Sequence, residues 1–293
     1  MIRLTFMRES LFIQTERFTR FWKSYRRNRL SVVALVILIT IALMGVLSPA
    51  APYGPFETAG GPLLPPSVGH PMGTDQLGRD ILSQVLHGCR ISVLVAVTAT
   101  LVSSLVSTMI GCVAGYYGGV VDDILMRITD FFQTIPRFVL AVVMAALLGP
   151  SLWNIIFVIG VLQWPRAARL LRSEILLLRE EQFVEAARAL GSGHFSILFR
   201  EIFPNALHIL IIDSSLTVGH AVLLESGLSY LGLSDPMQMS LGYMLNRAMS
   251  TLRLAWHPIF FPGLLIFFIV FSSNIVGDRL NDVLNPRIRG RER

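Results

Sequence analysis

Six apolar runs, each close to the length a helix needs to cross a bilayer, limit what this chain can fold into. They lie at about 30–48, 91–115, 131–149, 152–178, 206–232 and 257–277. A spanning helix takes roughly 20 predominantly apolar residues, because lipid offers no partner for backbone N–H and C=O groups and the helix satisfies them internally. A water-soluble globule is excluded by a chain that is 53% hydrophobic and 15% charged, with a mean hydropathy of +0.61. The expected fold class is therefore an all-α membrane protein with about six transmembrane helices. Pro136 and Pro165 interrupt the third and fourth runs and are expected to kink helices that continue out of the hydrocarbon as amphipathic extensions.

Basic residues set the orientation, since Lys and Arg are retained on the cytoplasmic side. Arg3, Arg8, Arg17, Arg20, Lys23, Arg26, Arg27 and Arg29 crowd the first segment, and Arg279, Arg287, Arg289, Arg291 and Arg293 the last. The stretch 166–206 holds Arg166, Arg169, Arg172, Arg179, Arg188 and Arg200, whereas 49–90 and 233–256 together hold Arg79, Arg90, Arg247 and Arg253. Both termini are expected in the cytoplasm, and the +6 net charge follows from this asymmetry rather than from nucleic-acid binding. The predicted division is a basic cytoplasmic segment 1–29, a transmembrane domain 30–278 with an external loop 49–90, and a cytoplasmic tail 279–293. Ser48-Pro49-Ala50-Ala51 also follows an apolar run in the manner of a signal-peptide cleavage site, but the basic region is longer and the apolar run fuller than that pattern requires. Cys89 and Cys112 fall near opposite ends of one predicted helix, ~35 Å apart at 1.5 Å per residue, too far to form a disulfide with each other.

Lys23 is the only lysine and no glycine-rich loop precedes it, so the phosphate-gripping GxxxxGK[ST] loop is missing; HExxH, GxSxG and clustered Cys/His patterns are missing too. An active transporter built from this chain draws its energy from a partner or an ion gradient.

Between the fourth and fifth runs, at about 179–205, Phe183, Ala187 and Leu190 share one helical stripe while Glu185, Arg188 and Ala189 lie away from it. Gly191 and Gly193 interrupt the helix, a second segment follows with Phe195, Leu198, Phe199 and Ile202, and Pro204 stands where the next helix can begin. Composition leaves two readings open: a piece whose small residues admit a partner's groove, or an amphipathic helix lying on the membrane interface. The string Glu185-Ala186-Ala187, three residues, Gly191, and later Pro204 resembles the signature loop of permease subunits of ATP-binding-cassette importers, with Glu201 standing where that pattern has an apolar residue and Ile202 beside it. The resemblance implies that Glu185, Ala186, Ala187, Leu190 and Gly191 dock an ATPase.

Gly73-Thr74-Asp75-Gln76-Leu77-Gly78-Arg79-Asp80 precedes a periodic apolar segment, Ile81, Leu82, Val85 and Leu86. Locally it is a turn and helix start in which Thr74 or Asp75 can cap and Asp75 can pair with Arg79 at i,i+4. The string also resembles the Gly-Thr-Asp-x-x-Gly-Arg-Asp motif of dipeptide, oligopeptide and nickel permeases. Ala114-Gly115-Tyr116-Tyr117-Gly118-Gly119 with Asp122, Met126-Arg127, Asp130 and Pro136 is similar to that family at matching spacings, and an Asp123/Arg127 pair is expected in the helix that follows. Leu224–Leu233 and Gly277–Asp282 resemble it further; Leu241 and Asn285 depart from it, standing where Trp and Asp are usual.

Charges inside a bilayer are costly and point to function by default, which singles out Asp213 and His220 in the fifth run. They lie two turns apart on nearly one stripe with Thr217 between them, and two readings are open: they line a translocation path, or they bond locally to Ser214, Ser215 and Thr217. Their separation of ~10 Å along the axis prevents them from sharing one metal ion, and no metal site is expected. Glu225 is expected near the outer rim.

The resemblance implies a type I importer permease fold with a cytoplasmic coupling-helix loop, in a prokaryotic inner membrane. It implies half of a translocation path for peptides, or for nickel or another metal chelate. The implied partners are a second permease chain, two ATPase subunits carrying ATP and Mg, an extracytoplasmic solute-binding protein and membrane lipid, with no nucleic acid and no cofactor in this chain. A secondary transporter driven by an ion gradient is the alternative of another class.

Overall fold

The computed structural model describes residues 19 and 22–284, so the arginines of the first twenty residues and those after Leu284, together with Asn285 and Pro286, lie outside the described residues. The main helices of the described chain are α1 (Arg29–Val46), α2 (Ile81–Tyr117), α3 (Gly119–Thr134), α4 (Arg137–Leu148), α5 (Leu152–Leu178), α6 (Gln182–Ala189), α7 (His194–Tyr230, with a π-helical turn over Ile197–Ile202), α8 (Leu241–Ala248) and α9 (His257–Leu284). Extended structure among the described residues is confined to the isolated bridges Thr58–Arg79 and Thr74–Asp80.

Four helices, α1, α2, α7 and α9, are long and apolar enough to span a membrane, and α3 with α4 makes a fifth if counted as one span. The expected run 131–149 is not one helix: α3 and α4 meet at an 88° bend around Ile135-Pro136. Proline disfavours helical geometry at the preceding residue, and here Ile135 is extended (ψ 132°) and the chain turns. At Pro165 the helix is not broken, since α5 continues through it for all 27 of its residues. Asn154, Gln163, Arg166 and Arg169 dilute the apolar character of α5, which lies packed along α2.

That packing rests on small residues. A Cβ on Gly111 would stand 2.7 Å from the Ala168 carbonyl oxygen, and one on Gly115 2.9 Å from that of Arg172, so the two glycines, one helical turn apart, let the α2 and α5 backbones touch. In a membrane, where burying apolar surface gives helices little reason to associate, such close backbone contact is a main source of cohesion. Gly160 makes room in a similar way for the Val102 side chain, whose Cγ1 would stand 2.7 Å from a Cβ there.

Two apolar clusters result. The larger joins Ile41, Val85, Val95, Ile155, Ile159, Val222 and Ile269 from five helices. The smaller, made of Cys112, Tyr116, Leu171, Ile175, Val184, Ile197, Leu198, Ile202, Ala206 and Leu210, sits under α6 at the other end. Within the chain only 22–33% of each span's apolar window is buried, leaving broad apolar faces for lipid or a second chain. Cys89 and Cys112 are both buried on α2 as free thiols.

Candidate functional site

The segment between α5 and α7 forms a hairpin whose interior is fixed by one residue the sequence did not single out. Val184 is fully buried in the smaller cluster, while Ala187 is half-buried and Phe183, Glu185, Ala186 and Leu190 face outward. Of the predicted stripe, then, only Ala187 packs inward; Leu190, 86% exposed, and Phe195, 75% exposed, stand free on the surface. Gly191 closes α6 at φ +79°, donating its N–H to Arg188 O at 2.9 Å while Ser192 N–H reaches Ala187 O at 3.1 Å. A side chain at that φ is strained, which accounts for glycine there.

The second predicted short segment is instead the start of the long α7, with Leu198 and Ile202 buried and Glu201 exposed. Ile202 thus supplies the apolar contact that Glu201 does not. The Tyr116 hydroxyl and His194 Nδ1 are joined by a 2.9 Å hydrogen bond, and Arg179 Nη1 donates to the Tyr116 carbonyl at 3.1 Å. Below them Arg172 forms a two-pronged pair with Asp122, and Arg169 Nη2 reaches Asp130 Oδ1 at 2.5 Å. Asp122 and Asp130 of α3 are therefore tied to α5. No Asp123–Arg127 ion pair forms among the described residues, where both side chains are exposed.

At the other end, residues 73–80 make a folded loop. Asp80, rather than Thr74 or Asp75, caps α2: its Oδ2 accepts from Ser83 N at 2.8 Å and Ser83 Oγ at 2.7 Å, while His70 Nδ1 donates to Oδ1 at 3.0 Å. Asp75 accepts the backbone N–H groups of Leu77 and Arg79 on Oδ1 and Gln84 Nε2 on Oδ2, so it binds Arg79 through the main chain and not through the guanidinium. The guanidinium lies over the Phe56 ring, 5.3 Å from its centre. Thr74 is buried; its hydroxyl donates to Gly61 O at 2.7 Å and accepts from Leu64 N, and its carbonyl accepts from His257 Nε2 of α9. Gly73 and Gly78, at φ +81° and +72°, form the corners.

In the middle of the bundle Asp213 is buried, accepts Thr217 Oγ1 at 3.1 Å and lies 3.5 Å from Arg166 Nε. His220 is separate from it, exposed on an open groove of about 310 Å³ with Arg137, Gln163, Phe138 and two leucines. Glu225, close to the end of α7, is 2% exposed, held by Ser229 Oγ at 2.6 Å, Ser92 Oγ at 2.9 Å and Ser226 Oγ at 3.4 Å; Ser92 Oγ also accepts Leu241 N–H. Among the described residues no three His, Cys, Asp or Glu side chains are grouped to hold a metal.

The comparisons with known proteins meet this architecture at both ends. The family model for the binding-protein-dependent transport system inner membrane component matches residues 107–290, and one for the N-terminal transmembrane domain of oligopeptide transport permease C matches 17–66. The chain belongs to the binding-protein-dependent inner-membrane permease family. Relatives within it include the glutathione transport system permease protein GsiD of Pectobacterium atrosepticum, 36% identical over 76% of this chain and 75% of its own length. A putative peptide permease protein of Brucella suis is 39% identical over 76% and 74%. The dipeptide transport system permease protein DppC of Bacillus subtilis is 35% identical over 77% and 71%. A solved chain from an inward facing methionine ABC transporter, MetNI, superposes with a TM-score of 0.55 at 19% identity over 68% of this chain and 96% of that one, which shows the shared fold. The chain is thus an all-α, multi-pass membrane permease with a type I ABC importer permease fold, and a transport component of a binding-protein-dependent system.

Proposed function

We propose that this permease forms half of a peptide translocation path and is driven by ATP hydrolysed, with Mg, on two partner ATPase subunits. The observation that carries the reading is the α6 hairpin. Val184 anchors it in the smaller cluster while Glu185, Ala186, Leu190 and Phe195 face outward, and Gly191 gives it a fixed corner. An exposed apolar pair beside small residues, on a rigid mount, is a surface suited to a partner's cleft. The interface-helix alternative is disfavoured because α6 directs its most buried residue into protein.

The hairpin shares its end of the molecule with Arg169, Arg172, Arg179, Arg188 and Arg200, and Arg279 Nη2 donates to the Ser24 carbonyl, bringing the first segment and the end of α9 together. That clustering supports a cytoplasmic position for this end and both termini, in a prokaryotic inner membrane. The opposite loops would receive an extracytoplasmic solute-binding protein, and the exposed apolar faces a second, related permease chain and lipid. The glutathione and peptide names of the relatives favour peptides over a nickel chelate, and membership of a binding-protein-dependent family sets ion-gradient transport aside.

The test is to purify the tagged chain from native membranes in mild detergent, identify its companions and assay ATP hydrolysis with peptide-loaded receptor. Recovery of a P-loop ATPase stimulated by that receptor is the expected result. Recovery of the chain alone, with peptide uptake that survives ATP depletion, would overturn the reading.

A further inference from the structure

We infer that the groove between α4, α5 and α7 is an anion-binding station on the cargo path, at which Arg137, Gln163 and His220 receive the terminal carboxylate of a passing peptide. The inference rests on the peptide-importer reading above.

Depth is the first observation. Leu152, at the start of α5, and Ser229, near the end of α7, line one small cavity and therefore stand at one level. Gln163 and His220 lie 11 and 9 positions below them, which at 1.5 Å per residue is ~14–17 Å, about half of a ~30 Å hydrocarbon layer. The groove they share with Arg137 therefore lies about half a hydrocarbon thickness below the start of α5 and the end of α7. Ionisable groups at that depth persist where they serve a pathway or are paired.

Pairing is the second. Of the two guanidiniums near His220, Arg166 is engaged with Asp213 at 3.5 Å, whereas Arg137 makes no hydrogen bond or ion pair among the described residues. Arg137 and Arg166 against Asp213 leave one uncompensated positive charge, the complement of one carboxylate. The third observation is an idle donor: Gln163 is 6% exposed, yet its buried Nε2 has no partner and the side chain lines the groove. A buried amide N–H without an acceptor is an unsatisfied group that an entering anion would satisfy.

The backbone adds to this. Arg137 is the first residue of α4, a 12-residue helix with no side chain capping its start. Its first N–H groups are free of intrahelical partners and carry the positive end of the helix dipole. The bend at Pro136 that breaks the expected span therefore places a helix start, a guanidinium, an amide donor and an imidazole around one space. Cargo that ends in a carboxylate would be steadied there and released as the groove opens. A neutral solute would gain nothing from it.

The experiment uses the complete importer in proteoliposomes, with receptor outside and ATP inside, and compares uptake of trialanine with that of trialanine amide, each at a concentration that saturates the receptor. The expected result is that Arg137→Gln lowers the trialanine-to-amide uptake ratio at least about tenfold, that Arg137→Lys restores most of it, and that Gln163→Leu lowers it to a smaller extent. A ratio that Arg137→Gln leaves unchanged, whether both probes slow together or neither does, would overturn the station and assign Arg137 to packing or lipid contact. ATP-dependent uptake of neither probe by the unmodified complex would instead overturn the peptide-importer reading beneath it.

Discussion

Tyr116 and His194 stand 78 positions apart in the chain and are joined by a 2.9 Å hydrogen bond that ties the last turn of α2 to the first turn of α7. The bond fixes the open side of the α6 hairpin, because His194 is where the chain leaves Gly191 and Gly193 and Tyr116 is rooted in the buried cluster beneath. Tyr116→Phe removes it while keeping the ring. The expected cost is about 0.5–1.5 kcal/mol, the net value of one such bond. Thermal unfolding of the purified chain should show a modest fall, and receptor-stimulated ATP hydrolysis by the assembled complex should fall with it.

Gly191→Val forces a β-branched residue to φ +79°, at a cost of about 1–2 kcal/mol. Nothing lies within 4 Å of the position a Cβ would take, so the effect is one of backbone strain and not of collision. The hairpin corner should open, and recovery of ATPase subunits with the tagged chain should drop about tenfold, the equivalent of ~1.4 kcal/mol. Gly193→Ala, also in open space and at an ordinary φ of −68°, should leave recovery close to that of the unmodified chain.

The α2–α5 contact should tolerate no enlargement. Gly111→Leu would drive a side chain into the Ala168 carbonyl and the Leu171 side chain. Overpacking of this kind costs about 1–3 kcal/mol, and here it also parts two helices held by backbone proximity. The expected readout is a lower unfolding temperature in detergent and less chain in the membrane fraction.

Glu225 separates two effects when replaced in two ways. Glu225→Ala strips Ser229, Ser92 and Ser226 of a shared acceptor and leaves their hydroxyls buried, at about 1–3 kcal/mol for each group left unsatisfied. Glu225→Gln keeps an acceptor oxygen and should cost less. Unfolding temperatures of the two variants decide this: equal losses would mean that the carboxylate charge, and not its acceptor role, holds α2, α7 and α8 together.

The parts of this structure that were legible in the sequence are those set by neighbours along the chain. The hairpin corner at Gly191, the burial of Ile202 beside exposed Glu201, and the helical character of every apolar run follow from local pattern. What was not legible depends on where distant elements land. Val184 was passed over because a stripe drawn through Phe183, Ala187 and Leu190 has the right period, and only the cluster beneath α6 selects which phase turns inward. Asp122 and Asp130 find arginines 50 and 39 positions away on α5, which no i,i+4 rule anticipates. The burial of Glu225 was not legible because its partner Ser92 is 133 positions away. The kink expected at Pro136 proved to be a right-angle turn between two helices, a size that hydropathy does not record because it reports what a residue is and not which way its backbone can point. The candidate path residues divided in the same way: Thr217 bonds Asp213 as local spacing suggests, while Arg137 and Gln163 join His220 only through the fold.

From His194 to Tyr230 the chain is helical without a gap for 37 residues, ~55 Å at 1.5 Å each. A rod of that length works as a lever. Pivoted at its middle, a tilt of only ~5° would carry its two tips ~2 Å in opposite directions. Whatever grips the α6 hairpin has its hand on one tip, and the buried Glu225 cluster that braces α2 and α8 rides close to the other.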